Sequence, residues 1–152
     1  MLHDIEMELE KDSPTAAPLV MPPLIITVRP LRTLDRFEFN RDTLRPFHLP
    51  LIRHVGTHVI GSWRKGRPIR TIRVVGHTDS SGRSPYNLNL GRRRALAVSR
   101  RLKMMIDRLS PGLSRRLRII PQSLGATRPV AGNRTPAERA LNRRVEVFVS
   151  TV

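Results

Sequence analysis

The sequence predicts an α/β domain in which helices pack on a mixed sheet, in the order β-α-β-α-β-(α)-β. Three observations carry this reading. Short apolar-polar alternations are separated by longer stretches of helical spacing, the pattern of strands joined through helices. The 152 residues suffice for one ordinary domain and a short extension. Apolar residues make up 39% of the chain but aromatic residues only 4%, so aliphatic side chains must fill most of the core.

The elements follow in order. Residues 1–30 read as a flexible extension, because Pro14, Pro18, Pro22, Pro23 and Pro30 interrupt any helix there. Within it, Leu24 to Val28 has the composition of an edge strand, although a tether or a docking segment for a protein partner is the simpler reading. The domain is expected over 31–152. Arg36-Phe37-Glu38-Phe39 alternates as a short half-buried strand. Asp42 or Thr43 can cap a helix with Pro46 in its first turn. Leu49, Ile52, Val55, Val59 and Ile60 continue it, and Gly61 is its expected stop.

Thr71 to Val75 is a second strand that runs into the turn-rich segment Gly76 to Pro85. A long helix is expected from about Leu88 to Leu109, with the apolar stripe Ala95, Val98, Leu102, Met105 and Leu109. Ser110-Pro111-Gly112 ends it. Leu117 to Ile120 is a third strand, Ala137 to Leu141 a short helical turn, and Arg144 to Val149 the last strand, its valines alternating with polar residues and Phe148.

Charge and composition exclude several functions. The net charge is +16, with −4 in residues 1–18 and +20 on the rest. Such a chain attracts polyanions such as nucleic acid, anionic lipid or acidic wall polymers. Only three of the 28 basic residues are lysines, a bias that a GC-rich coding sequence would also produce. Cysteine is absent, which removes disulfides and thiolate metal sites. No apolar run approaches the roughly 20 residues of a membrane-spanning helix. The acidic start lacks the basic and apolar regions of a secretory signal peptide, and no export signal is visible.

Enzymatic chemistry is not expected. His77, Asp79, Ser80 and Ser81 crowd one loop, whereas a triad needs its base held between nucleophile and orienter. The loop GHTDSSG matches neither phosphate-binding glycine pattern. His54 and His58 share a helical face but have no acid nearby in sequence to complete a metal site. No metal or other cofactor is implied. The arginines from Arg92 to Arg101 read as a solvated helix face, and with so few aromatic platforms nucleic acid is not the expected ligand.

One acid stands apart. Asp79 is the only acidic residue between Asp42 and Asp107, and it follows a strand. Arg94 lies fifteen residues on, beside the buried stripe of the next helix. A strand-loop-helix unit can bring the two together at the sheet edge. There they would suit a zwitterionic ligand: the carboxylate accepts from an ammonium, and the guanidinium fork grips a carboxylate. An internal Asp79–Arg94 salt bridge is the competing reading.

From Phe37 to Val149 the chain resembles the OmpA-like C-terminal domain, as found in OmpA, Pal lipoproteins and MotB. Five ordered elements carry the resemblance: FEFN with a following helix, I-x-V-x-G-H-T-D-x-x-G at Ile72 to Gly82, Y-N-x-x-L-x-x-x-R-A at Tyr86 to Ala95, S-x-G-x-x-x-P at Ser123 to Pro129, and N-R-R-V-E at Asn142 to Glu146. The resemblance implies a two-layer sandwich with the helices on one face. It also implies noncovalent binding of peptidoglycan through the meso-diaminopimelate of its stem peptide, in the periplasm or cell envelope. By position, Asp79 would hold the diaminopimelate ammonium and Arg94 its carboxylate. Asn87 and Thr78 would line the pocket. Asn40 stands where many relatives have an acid, and Arg143 and Arg144 match the closing motif in a supporting role. Gly91 departs from the small hydroxyl residue usual there, removing a possible helix-start hydrogen bond. The alternative keeps the fold but makes it a basic scaffold for an acidic protein partner or nucleic acid.

Overall fold

The computed structural model describes residues 29–152. The expectations for residues 1–28, Leu24 to Val28 included, lie outside the described residues. Four strands form one sheet: β1 (Arg32–Leu34), β2 (Thr71–His77), β3 (Arg118–Gly125) and β4 (Val145–Ser150). Their spatial order is β1-β4-β2-β3. β4 pairs antiparallel with both β1 and β2, and β2 pairs parallel with β3. Three α-helices accompany them: α1 (Leu49–Arg64), α2 (Ser84–Leu109) and α3 (Pro136–Asn142). The predicted mixed α/β architecture is the one observed.

Register explains the two faces. Ile72 lies opposite Val149 and Ile119, and Val74 opposite Val147, so these residues share one side of the sheet. With Leu34 and Val145 they join Ile52, Val55 and Val59 of α1 and Ala95, Val98, Leu102 and Ile106 of α2 in one core. Burying each of the larger of these side chains contributes about 1.5–3 kcal/mol. The predicted stripe of α2 holds at Ala95, Val98 and Leu102. It then shifts to Ile106, leaving Leu109 38% exposed, because the helix drifts around its axis relative to the sheet. On the opposite side of the sheet Arg73 spreads over the Phe148 ring and donates to Gln122.

The start of the domain departs from expectation. The hydrogen-bonded first strand is Arg32–Leu34, not Arg36 to Phe39. Arg36 and Asn40 adopt left-handed backbone at φ 54° and 59°, which breaks an extended run between them. Phe37 is fully buried while Phe39 is 56% exposed. Phe37 is held instead by its own N–H donating to the Arg143 carbonyl, 3.1 Å away.

Neither Asp42 nor Thr43 caps α1. A 3-10 turn over Pro46–His48 intervenes, and α1 begins at Leu49 with Pro50 in its first turn. It continues through Gly61 to Arg64. α2 starts four residues earlier than expected, at Ser84. β3 extends five residues past Ile120, to Gly125. α3 starts on a capping box in which Thr135 and Glu138 exchange side-chain-to-backbone hydrogen bonds.

Candidate functional site

Two glycines set how closely α2 approaches the sheet. A Cβ on Gly76 would sit 1.7 Å from the Gly91 carbonyl oxygen, and one on Gly91 would sit 2.3 Å from Ser123 Oγ. Gly91 therefore stands in the helix interior as a contact point between α2 and β2. It is seven residues past the start of α2, so the reading of it as a lost helix-start hydrogen bond does not hold. At the same level β3 carries one extra residue, with Gly76 opposite Ser123 but His77 opposite Gly125. The chain leaving β2 turns over the first turns of α2, and a small pocket forms between them.

Among the described residues this pocket is lined by Asn40, Thr78, Asp79, Asn87 and Arg94, together with Phe39, Ser81, Gly82, Leu90 and Arg143. Six of the seven residues named from sequence thus converge on one cleft, Arg143 among them. The seventh, Arg144, does not line it. Its Nη2 donates to the Arg128 carbonyl, and its Nε lies 3.4 Å from Glu146 Oε2. The same Glu146 accepts from His77 Nε2 at 2.8 Å. Residues 143 and 144 lead into β4, where successive side chains point to opposite sides, so only the first arginine reaches the pocket.

Arg143 is therefore the residue that sequence reasoning undervalued. Its Nη1 lies 3.2 Å from Asp79 Oδ2, and its Nε donates to the Phe37 carbonyl. The consecutive arginines of N-R-R-V-E were the available signal, but they do not say which one turns inward.

Asp79 and Arg94 share the pocket without forming the direct ion pair of the competing reading. Asp79 is 4% exposed and accepts the Ser81 N–H at 2.9 Å. Burial opposes its ionisation, but the hydrogen bonds from Ser81 and Arg143, with the charge of Arg143, outweigh that and hold its pKa below the usual carboxylate value.

Arg94 is fully buried. Its Nε donates to the Arg41 carbonyl, Nη1 to His77 and Nη2 to Glu38, at 2.8 to 3.0 Å. Its guanidinium also lies over the Phe37 ring. Burial, with the charge of Arg143 adding, pushes it down to about 10, so it stays charged at neutral pH. A guanidinium has five N–H donors, of which three are used here. An ionised carboxylate has about four acceptor positions, and Ser81 and Arg143 occupy two on Asp79.

The remaining lining groups are set by backbone. Asn87 Nδ2 donates to the Gly82 carbonyl, and a Cβ on Gly82 would crowd Asn87. Asn40 uses the left-handed conformation that asparagine tolerates, and its Oδ1 accepts from the Tyr86 hydroxyl. The Thr78 hydroxyl is buried and has no hydrogen-bond partner among the described residues. The pocket thus holds an acceptor-rich carboxylate, a donor-rich guanidinium and a free hydroxyl within one small volume.

His54 and His58 stack at 6.3 Å, and the Arg32 guanidinium lies 3.1 Å from the His54 ring nitrogens, where a metal would need them free. No helix among the described residues is long and apolar enough to cross a membrane.

The family model for OmpA matches residues 36–143. The chain belongs to the OmpA family. Curated relatives include outer membrane protein A of Bordetella avium, 35% identical over 74% of this chain and 52% of its own length. The peptidoglycan-associated lipoprotein of Legionella pneumophila is 33% identical over 79% of this chain and 61% of its own. This OmpA-family chain thus spans between about half and three-fifths of those relatives. Among solved structures, the peptidoglycan-associated lipoprotein of Burkholderia pseudomallei superposes with a TM-score of 0.64 at 28% identity, covering 78% of this chain and 90% of that one. The cell wall anchor of the type VI secretion system from Pseudomonas aeruginosa does so at 0.51 and 26%, covering 78% and 80%. These relatives are envelope proteins by name, and the match runs through every element that builds the pocket.

Proposed function

We propose that this OmpA-family domain binds peptidoglycan noncovalently and anchors a protein or assembly to the cell wall, without catalysing a reaction. The observation that carries the reading is the cleft that joins Asp79 and Arg94, each with unused hydrogen-bonding capacity, beside the unpartnered Thr78 hydroxyl. The ligand end that fits is a free amino-acid terminus, and we assign it to the diaminopimelate of the stem peptide. Asp79 accepts from its ammonium. The two spare N–H groups of Arg94 donate to its carboxylate, while the three carbonyl contacts fix the fork. Thr78, Asn87 and Asn40 complete the rim, and Arg143 positions Asp79. Arg144 acts from behind, through Glu146. In this reading the domain works in the periplasm or cell envelope, and residues 1–30 are the segment that meets a protein partner.

Asp79→Asn keeps the shape of the side chain and removes its charge. A hydrogen bond to a charged group contributes about 1.5–3 kcal/mol, so affinity for purified diaminopimelate-type sacculi should fall roughly 10- to 150-fold. Measured with rising salt, wild-type binding should decline in part and level off by roughly 0.5 M, since surface attraction is screened and pocket contacts are shielded from solvent. A folded Asp79→Asn protein that holds sacculi at wild-type strength would remove this proposal. Complete loss of wild-type binding at high salt would favour the basic-scaffold alternative.

A further inference from the structure

Charge is sorted along the strands. Asp35, Glu38, Asp42, Asp79, Glu138 and Glu146 all lie at or beside the pocket end of the sheet, which leaves Asp107 as the one other described acid. The acid-base contacts among described residues follow this division: Arg36–Asp35, Arg41–Glu38, Arg93–Asp42, Arg143–Asp79, and His77 and Arg144 with Glu146.

The opposite end is built differently. α1 ends there in Arg64, Lys65 and Arg67, and the turn that follows α2 enters β3 through Arg115, Arg116 and Arg118. All six are exposed, and none has an ion-pair partner among the described residues. The two basic turns are joined. The Trp63 ring carries the Arg70 guanidinium at 5.4 Å and that of Arg116 at 5.6 Å, and the Arg118 N–H donates to the Arg70 carbonyl. α1 and α2 both end here, so their carbonyl ends moderate the repulsion among these cations without neutralising it.

We propose that this remote end is a docking surface for an anionic phospholipid layer. Apolar groups stand among the cations: Pro111 is exposed, Leu109 is 38% exposed and Leu113 is half-buried. Cations interleaved with apolar side chains on exposed turns suit headgroup phosphates, which offer charge at no fixed spacing. The same details argue against single-stranded nucleic acid, which needs an aromatic face for stacking. Trp63 is already covered by its own arginines, and its Nε1 donates to the Ile69 carbonyl. The surface uses none of the pocket residues, so its fate is independent of the ligand assigned there.

The test is co-sedimentation of the full chain with vesicles of phosphatidylcholine, with and without phosphatidylglycerol. Binding should require phosphatidylglycerol. Each cation near an anionic surface is worth roughly a fivefold change in partition. Combined Arg64→Glu, Arg67→Glu and Arg115→Glu should therefore weaken binding by at least about 100-fold at an unchanged melting temperature. The matched set Arg92→Glu, Arg100→Glu and Lys103→Glu, on the exposed side of α2, should cost less than about tenfold, and Asp79→Asn nothing. Equal losses from the two sets, or equal binding to both vesicles, would overturn the proposal. So would a DNA duplex that binds through Arg64, Arg67 and Arg115 more tightly than the vesicles do at the same ionic strength.

Discussion

The two ends of β2 hold charge in opposite ways. At the pocket end charges are buried and answered by specific partners: Arg94 by three carbonyls, Asp79 by Arg143 and Ser81. At the remote end arginines stand in solvent on turns, tied to the fold by little more than Trp63. A buried charge with protein partners serves stability, because removing it strands the groups around it. An exposed cation is free of the fold and can be lost without unfolding it. The difference teaches that, on the roles proposed for the two ends, function and folding are entangled at one and separable at the other.

The largest test of that contrast is a pair of alanine substitutions. Arg94→Ala strands the carbonyls of Arg41, His77 and Glu38 and opens a cavity against Phe37, so it should cost about 3–5 kcal/mol. Arg67→Ala should stay within about 0.5 kcal/mol. Urea denaturation of the two variants checks this, and similar losses would break the distinction.

Next comes the glycine contact that positions the pocket. Gly76→Ala drives a Cβ into the Gly91 backbone, which cannot give way as a side-chain tip could. A loss of about 3 kcal/mol is expected, with sacculus binding reduced further than unfolding alone explains, since α2 carries Asn87 and Arg94. Calorimetry beside binding at a temperature where the variant is folded separates the two effects.

The smallest effect is a dependence on pH. His48 accepts the Arg45 N–H at Nδ1 and donates from Nε2 to the Asp35 carbonyl, so it is held neutral, and burial lowers its pKa. Burial lowers His58 as well. For a histidine with a lowered folded pKa the unfolded chain binds the proton first. Stability is then complete above about pH 6.5 and declines as pH falls below it. Asp79 and Glu146, whose folded values also lie low, add a second loss only below about pH 4. Melting temperature followed from pH 8 to 3 should fall in these two stages, and His48→Gln should flatten the first. A curve level down to about pH 4 would sink the assignment to His48.

Much of this contrast was legible in the residues. β2, α2 and β4 declare themselves by period, and isolation and spacing in the sequence single out Asp79 and Arg94. What escaped was set by contacts across long stretches of chain. Phe37 and Phe39 alternate as a strand should, yet a hydrogen bond to residue 143 and two left-handed residues hold them in a loop. Asp79 meets Arg143, 64 residues away, and no local pattern chooses it over Arg144. Gly91 looked like a missing hydroxyl because its partner, Gly76, lies on another element.

The edge position of β1 has a mechanical consequence. β2 is clamped by seven residue pairs to β3 and six to β4, whereas β1 is held to β4 by three. The chain before Arg32 runs toward the Val149 end of β4, away from the pocket. Tension between the pocket and residue 29 therefore loads those three pairs in shear, while the central strands stay braced. Forced rupture is governed by the barrier of the first step rather than by total stability. Under load β1 is the fuse of this domain: its three pairs shear before the braced central strands give way.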